Sequence, residues 1–142
     1  MFKMNSFITP SKMKDFGYDV SDYRAINPIF GDEEDFIHLV SRVHELDMKI
    51  IMDFVPNHSS DQHDWFVRSV AGEEPYTDYY VWADPGGWQG DSPLPPSNWL
   101  SKVRTSAWTW RPERGQFYYH QYQPAQPDLN FRDRSGTNWG IE

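Results

Sequence analysis

The residues best equipped for chemistry sit together after one apolar run. Lys49-Ile50-Ile51-Met52-Asp53-Phe54-Val55 stops at Pro56, and Asp53, Asn57, His58, Ser59 and Ser60 crowd its C-terminal end. A carboxylate accepts strong hydrogen bonds, an imidazole donates or accepts, and amides and hydroxyls do both. Such a set can hold a polar ligand, or it can be ordinary loop polarity at a strand exit. The residue types alone leave both readings open. Metal chemistry is disfavoured. Zero cysteines remove thiolate zinc sites, disulfides and cysteine nucleophiles. His38 and His44 stand six apart on a helical pattern, so they do not share a face. His58 and His63 bracket acids without the H-E-x-x-H spacing.

The elements that must position these groups are legible. Apolar residues at Phe36, Leu39, Val40, Val43 and Leu46 form one helical face, which predicts a helix over Asp32–Leu46. Asp32 with Asp35 resembles a capping box with a short acid in the back position. The acid run Asp32–Asp35 suits the positive end of the helix dipole and reads as a solvated helix start. The run from Lys49 follows at once and reads as a buried parallel strand. In α/β proteins, ligands gather at the C-terminal ends of parallel strands. That order places Asp53, Asn57 and His58 in a candidate site.

The stretch 60–124 has a different texture, rich in Trp, Tyr, Pro and Gly, and holds six of the seven tryptophans. A plain loop of that length is unusual. Thr77-Asp78-Tyr79-Tyr80-Val81-Trp82 and Gln116-Phe117-Tyr118-Tyr119-His120-Gln121 have the composition of short strands. The stretch therefore reads as a small irregular β-containing unit inserted after the strand. Its tryptophans are expected to be core rather than ligand platforms.

Bulk properties narrow the function classes. The formal net charge of −8 argues against nucleic acid and anionic membranes, and suits neutral or cationic ligands. No apolar run approaches the ~20 residues of a membrane span. Met1–Met13 lacks the apolar core of about 7–15 residues that a signal peptide carries. Aromatic content of 17% supplies material for a core.

The segment Asp53-Phe54-Val55-Pro56-Asn57-His58 resembles the first conserved region of glycoside hydrolase family 13, D-x-x-x-N-H at the end of the third barrel strand. Asp15-Phe16-Gly17-Tyr18-Asp19 resembles the second-strand loop of that family's α-glucosidase and oligo-1,6-glucosidase branch. Gln126-Pro127-Asp128-Leu129-Asn130 resembles the fifth conserved region in the form typical of that branch. The three stand in the family's order, and the phrasing is most similar to insect maltases. The resemblance runs from about Lys12 to Asp133. The start before Lys12 is short and divergent, and Asp133 to Glu142 reads as unrelated sequence.

The resemblance implies an α/β fold: part of a (β/α)8 barrel, about strands 2–3, with an inserted small domain B. Residues 1–59 would be barrel, 60–125 domain B, and 126–142 its exit motif and tail. It implies a retaining α-glucosidase acting on a small α-glucoside such as maltose or sucrose, without a cofactor. Retaining chemistry uses two carboxylates about 5–5.5 Å apart. In this family those acids follow later strands, so no acid here is expected to be catalytic and the isolated chain is expected to be inactive. The implied sugar contacts are Asp15 accepting from glucose hydroxyls, Tyr18 as an aromatic platform, and His58 donating to a hydroxyl. Asp53 would pair with an arginine of strand 4, absent here, and so would be left as an uncompensated charge. Asn57, Gln126 and Asp128 would hold the motif structurally, with Asp128 anchoring the domain B exit or touching the ligand. No metal is implied. The parent family is commonly secreted or extracellular.

Two rival readings exist. Amino-acid transporter heavy chains share the barrel but have lost sugar-site residues, and Asp15, Tyr18, Asp53 and His58 favour an enzyme parent. A free-standing sugar-binding module would have only half a pocket. Asn57-His58-Ser59 matches a glycosylation sequon, but a glycan there would block the site. A closed barrel takes about 250 residues, so strand edges and the apolar helix face are expected to be exposed.

Overall fold

The computed structural model describes residues 16–132, together with the backbones of Phe2–Met4 and Ile8–Pro10. Asp15 and the tail 133–142 lie outside the described residues. Strands β1 (Phe2–Met4), β2 (Ile8–Pro10) and β3 (Val20–Ile26) precede helix α1 (Glu33–Glu45) and strand β4 (Ile50–Met52). β1 lies parallel to β4 with Phe2 opposite Ile50, and β2 lies antiparallel to β3. The parallel partner thus comes from the start of the chain, where the sequence pattern alone indicated no element.

Helix α1 begins where its acids direct. Asp32 Oδ1 accepts from the Asp35 backbone N–H at 3.0 Å, and Asp35 Oδ2 accepts from the Asp32 N–H at 3.1 Å. Both members of the capping box form despite the short second acid. Gly31 makes this possible. Its φ is +111°, and a Cβ there would meet Asp35 Cβ at 2.9 Å, so only glycine fits. Val43 is buried, Phe36, Leu39 and Val40 are half-buried, and Leu46 is exposed.

The strand at Lys49–Val55 differs from its expected form. It is parallel, but only Ile50–Met52 is ladder, and Ile51, Met52 and Phe54 are exposed. Its sheet has two strands, so no layer among the described residues covers these side chains.

The core lies downstream instead. Helix α2 (Asp64–Val70) is followed by a 3-10 turn at Tyr76–Asp78. Strands β5 (Trp82–Ala83), β6 (Gly87–Gln89), β7 (Ser92–Leu94), β8 (Trp108–Arg111) and β9 (Gln116–Tyr119) come next. β5, β9 and β8 form one antiparallel sheet, and β6 pairs with β7. Phe66, Tyr79, Tyr80, Tyr118 and Leu129 make the buried cluster. Phe66 meets the Tyr80 and Tyr118 rings edge-on, each at 5.0 Å between centroids, the geometry that ring quadrupoles favour.

Two local expectations change. Thr77–Asp78 is helical turn rather than strand, with the strand starting only at Trp82. The Thr77 carbonyl is taken by Ser69 Oγ and Arg114 Nη1, each at 3.1 Å, so it is unavailable to a ladder. Of the tryptophans, Trp65 and Trp82 pack on the core cluster, but Trp88 and Trp99 are about three-fifths exposed, at 59% and 60%.

Candidate functional site

Three segments far apart in sequence meet at the end of β4. The exit Asn57–Asp61 runs antiparallel to Ala125–Leu129, with His58 bridged to Asp128. Leu129 N–H donates to Asn57 O at 3.0 Å, Ser59 N–H to Pro127 O at 3.3 Å, and Asp61 N–H to Ala125 O at 3.0 Å. On the other side, Ser60 N–H donates to Val20 O at 2.7 Å, tying the exit to β3. Ser59 and Ser60 are fully buried, and Ser59 Oγ lies 2.6 Å from Tyr80 Oη. Main-chain pairing therefore fixes the path of the polar cluster on both flanks.

Tyr18, Asp53, Asn57, His58, Gln126 and Asp128 come together around this path. The Tyr18 hydroxyl donates to Asp53 Oδ2 at 3.1 Å. Asp53 is half-buried rather than enclosed, which lowers the cost of a carboxylate without a cationic partner. A phenol donor and partial hydration stabilise this carboxylate.

His58 is 4% exposed. Its Nε2 lies 3.1 Å from the Tyr18 carbonyl and 3.0 Å from Gln126 Nε2, and its Nδ1 lies 3.3 Å from Asn57 Nδ2. Gln126 Oε1 accepts from Gln123 N–H at 3.2 Å, which turns the N–H end of its amide toward His58. With the proton on Nε2, His58 donates to Tyr18 O and Nδ1 accepts from Asn57. With the proton on Nδ1, the ring loses both and gains only Gln126. The Nε2–H form thus satisfies two of the three contacts and leaves the Gln126 amide N–H facing a ring N–H. That form presents a donor nitrogen on the side of Tyr18.

Asp128 is 7% exposed, and its Oδ1 accepts from Gln121 N–H at 2.9 Å. Burial pushes its carboxyl up to about 6, against the opposing pull of hydrogen bonds from Gln121 N–H and Asn57. Gln126, at 1% exposed, is equally enclosed. Both side chains anchor the returning segment to its neighbours.

The sequence pattern did not single out Tyr23, and it gave His63 and His120 no part in the site. Tyr23 Oη reaches Val55 O at 3.0 Å and His58 O at 2.6 Å. His63 caps α2, its Nδ1 accepting from Trp65 N–H at 3.1 Å. Burial lowers the His63 pKa, opposed by Asp22 and Asp64, and the neutral ring is the form that can accept. His120 is fully buried beside Thr109 Oγ1 at 2.9 Å, and burial lowers its pKa against the pull of the Tyr122 carbonyl. Tyr23 alone left a trace in sequence: it shares the inward face of a two-residue alternation with Ser21 and Ala25. Among the described residues, no group of three or more metal-ligating side chains is assembled. No described helix is long and apolar enough to cross a membrane.

Residues 6–138 match the family described as alpha amylase, catalytic domain. The match extends past both edges of the Lys12–Asp133 resemblance. Maltase 1 of Drosophila virilis is 52% identical over 126 residues, covering 89% of this chain and 20% of that protein. An alpha-glucosidase of Apis mellifera is 52% identical over 124 residues, covering 87% and 22%. The human amino acid transporter heavy chain SLC3A1 is 48% identical over 123 residues, covering 87% and 18%. Among solved structures, the alpha-glucosyl transfer enzyme XgtA superposes with a TM-score of 0.84 at 43% identity, over 92% of this chain and 24% of that one. The chain thus spans about a fifth of the length of the curated relatives it matches.

Proposed function

Because this chain belongs to glycoside hydrolase family 13, the α-amylase family with its barrel catalytic domain, we propose that it is the glucose-holding portion of an α-glucosidase. The parent reaction would be hydrolysis of terminal α-linked glucose from a small α-glucoside such as maltose or sucrose, with retention. The observation that carries this reading is the meeting of Tyr18, Asp53 and His58 with Gln126 and Asp128, with 68 residues separating His58 from Gln126. Acceptor carboxylate, aromatic ring and imidazole donor are the chemistry a sugar needs: hydroxyls to pair and a C–H face to cover.

In this reading Asp15 accepts from hydroxyls, Asp53 lines the site beside it, Tyr18 covers a sugar face, and His58 donates to a hydroxyl. Asn57, Gln126 and Asp128 hold the strand exit against the returning segment. Residues 1–59 belong to the barrel, 60–125 to the inserted domain B, and 126–142 to its exit. No acid of this chain serves as nucleophile or proton donor. The likeness to a transporter heavy chain supports a second reading, a non-catalytic relative; the acceptor and donor groups at Asp53, Tyr18 and His58 favour the glycosidase. The test is a pair of assays on the 142-residue chain. p-Nitrophenyl α-glucoside should not turn over, and maltose should shift the Tyr18 and His58 NMR signals while cellobiose does not. Turnover above background refutes the missing catalytic pair, and indifference of both signals to maltose refutes the sugar site.

A further inference from the structure

Asp53 and His58 occupy opposite ends of one short turn, and their separation depends on the path of the backbone between them. Tyr23 reaches into that turn from β3. Its hydroxyl lies 2.6 Å from His58 O and 3.0 Å from Val55 O. One O–H thus serves two carbonyls three residues apart, a three-centre bond that closes the turn from inside. The ring is held on its other faces by His63 at 5.5 Å, Trp65 at 6.0 Å and Phe54 at 6.5 Å between centroids. Burial pushes the Tyr23 phenol far above its ordinary value, so it remains an O–H donor.

Tyr18, two residues before β3, bonds Asp53 through its hydroxyl, and its carbonyl faces His58 Nε2. We infer that Tyr23 is a positioning residue for the sugar site: through the His58 carbonyl it sets the placement of the His58 imidazole relative to Tyr18 and Asp53. The inference rests on the glucose-site reading for its function, but its structural half can be judged without any sugar.

The experiment compares Tyr23→Phe with Tyr118→Phe in the full chain, by 15N NMR of the histidine rings. Tyr118 is an apt control. It is 1% exposed, its hydroxyl donates to Pro124 O at 2.7 Å, and its ring lies 5.7 Å from His120. Tyr23→Phe should move the His58 ring nitrogens and reduce the Nε2–H character while leaving His120 unchanged. Tyr118→Phe should do the reverse. If Tyr23→Phe leaves His58 unmoved, or Tyr118→Phe moves it as much, the inference is overturned. A wild-type measurement keeps the idea testable should Tyr23→Phe not fold. The Tyr23 hydroxyl proton should exchange slowly and show contacts to His58 Hα; rapid exchange overturns the inference. Maltose affinity should fall about fivefold in Tyr23→Phe, the loss of one ordinary hydrogen bond. A wild-type chain that ignores maltose removes the glucose-site reading, while the ring signals still decide whether Tyr23 places His58.

Discussion

Asp128 should cost this fold stability at neutral pH, and Asp128→Asn should recover it. The carboxyl is 7% exposed, and burial raises it from 3.8 to about 6. An elevation of that size corresponds to about 3 kcal/mol between low and high pH. The folded chain binds this proton more tightly than the unfolded chain does. The contribution is therefore fully favourable below about pH 4 and is lost as pH rises through about 6. Asparagine keeps the Oδ1 that accepts from Gln121 N–H but never ionises. Urea unfolding should be followed by fluorescence of Trp65 and Trp82, which pack on the core cluster. The stability difference, Asp128→Asn minus wild type, should be least near pH 4, climb by about 3 kcal/mol up to pH 7, and then level. Other carboxylates titrate in both proteins and cancel. A difference that stays flat with pH, or falls as pH rises, refutes the argument that burial outweighs the hydrogen bonds to this carboxylate.

Other substitutions probe the remaining supports. Asp32→Ala removes the capping box of α1 and should lower unfolding stability by about 1 kcal/mol, read from the urea midpoint; no change would show that packing alone holds that helix end. Phe66→Ala empties the centre of the aromatic cluster, where Phe66 is 1% exposed. It should cost about 3–5 kcal/mol and abolish the near-ultraviolet dichroism of the packed rings. Gly86→Ala would place a Cβ 2.7 Å from Pro95 O and 3.2 Å from Pro96 Cα. The backbone must move, at about 1–3 kcal/mol, and amide exchange along β6 and β7 should quicken.

Local chemistry was legible wherever neighbours in sequence settle it. The capping acids at Asp32 and Asp35 and the apolar spacing from Phe36 to Leu46 announce α1, because cap and helix face are made within a few residues. The strand character of Gln116–Tyr119 follows from its aromatic composition. The Thr77 turn was not legible, because the groups that claim its carbonyl, Ser69 and Arg114, come from elsewhere in the chain. The exposure of Ile51, Met52 and Phe54 was equally hidden in their side chains. An apolar strand looks the same in sequence whether or not a second layer covers it.

The polar cluster after β4 shows the same division. By itself the sequence determined which groups stand at the strand exit, Asp53, Asn57 and His58, and which family its motifs resemble. Only the tertiary structure decided what those groups face. The Tyr18 hydroxyl reaches Asp53, the Gln126 amide and the Tyr18 carbonyl flank one nitrogen of His58, and Tyr23 grips the turn between. The physical reason is range. Composition and spacing encode what a residue can donate or accept, but tautomer, ionisation and placement depend on partners up to 68 residues away, which only the folded chain brings within hydrogen-bond reach.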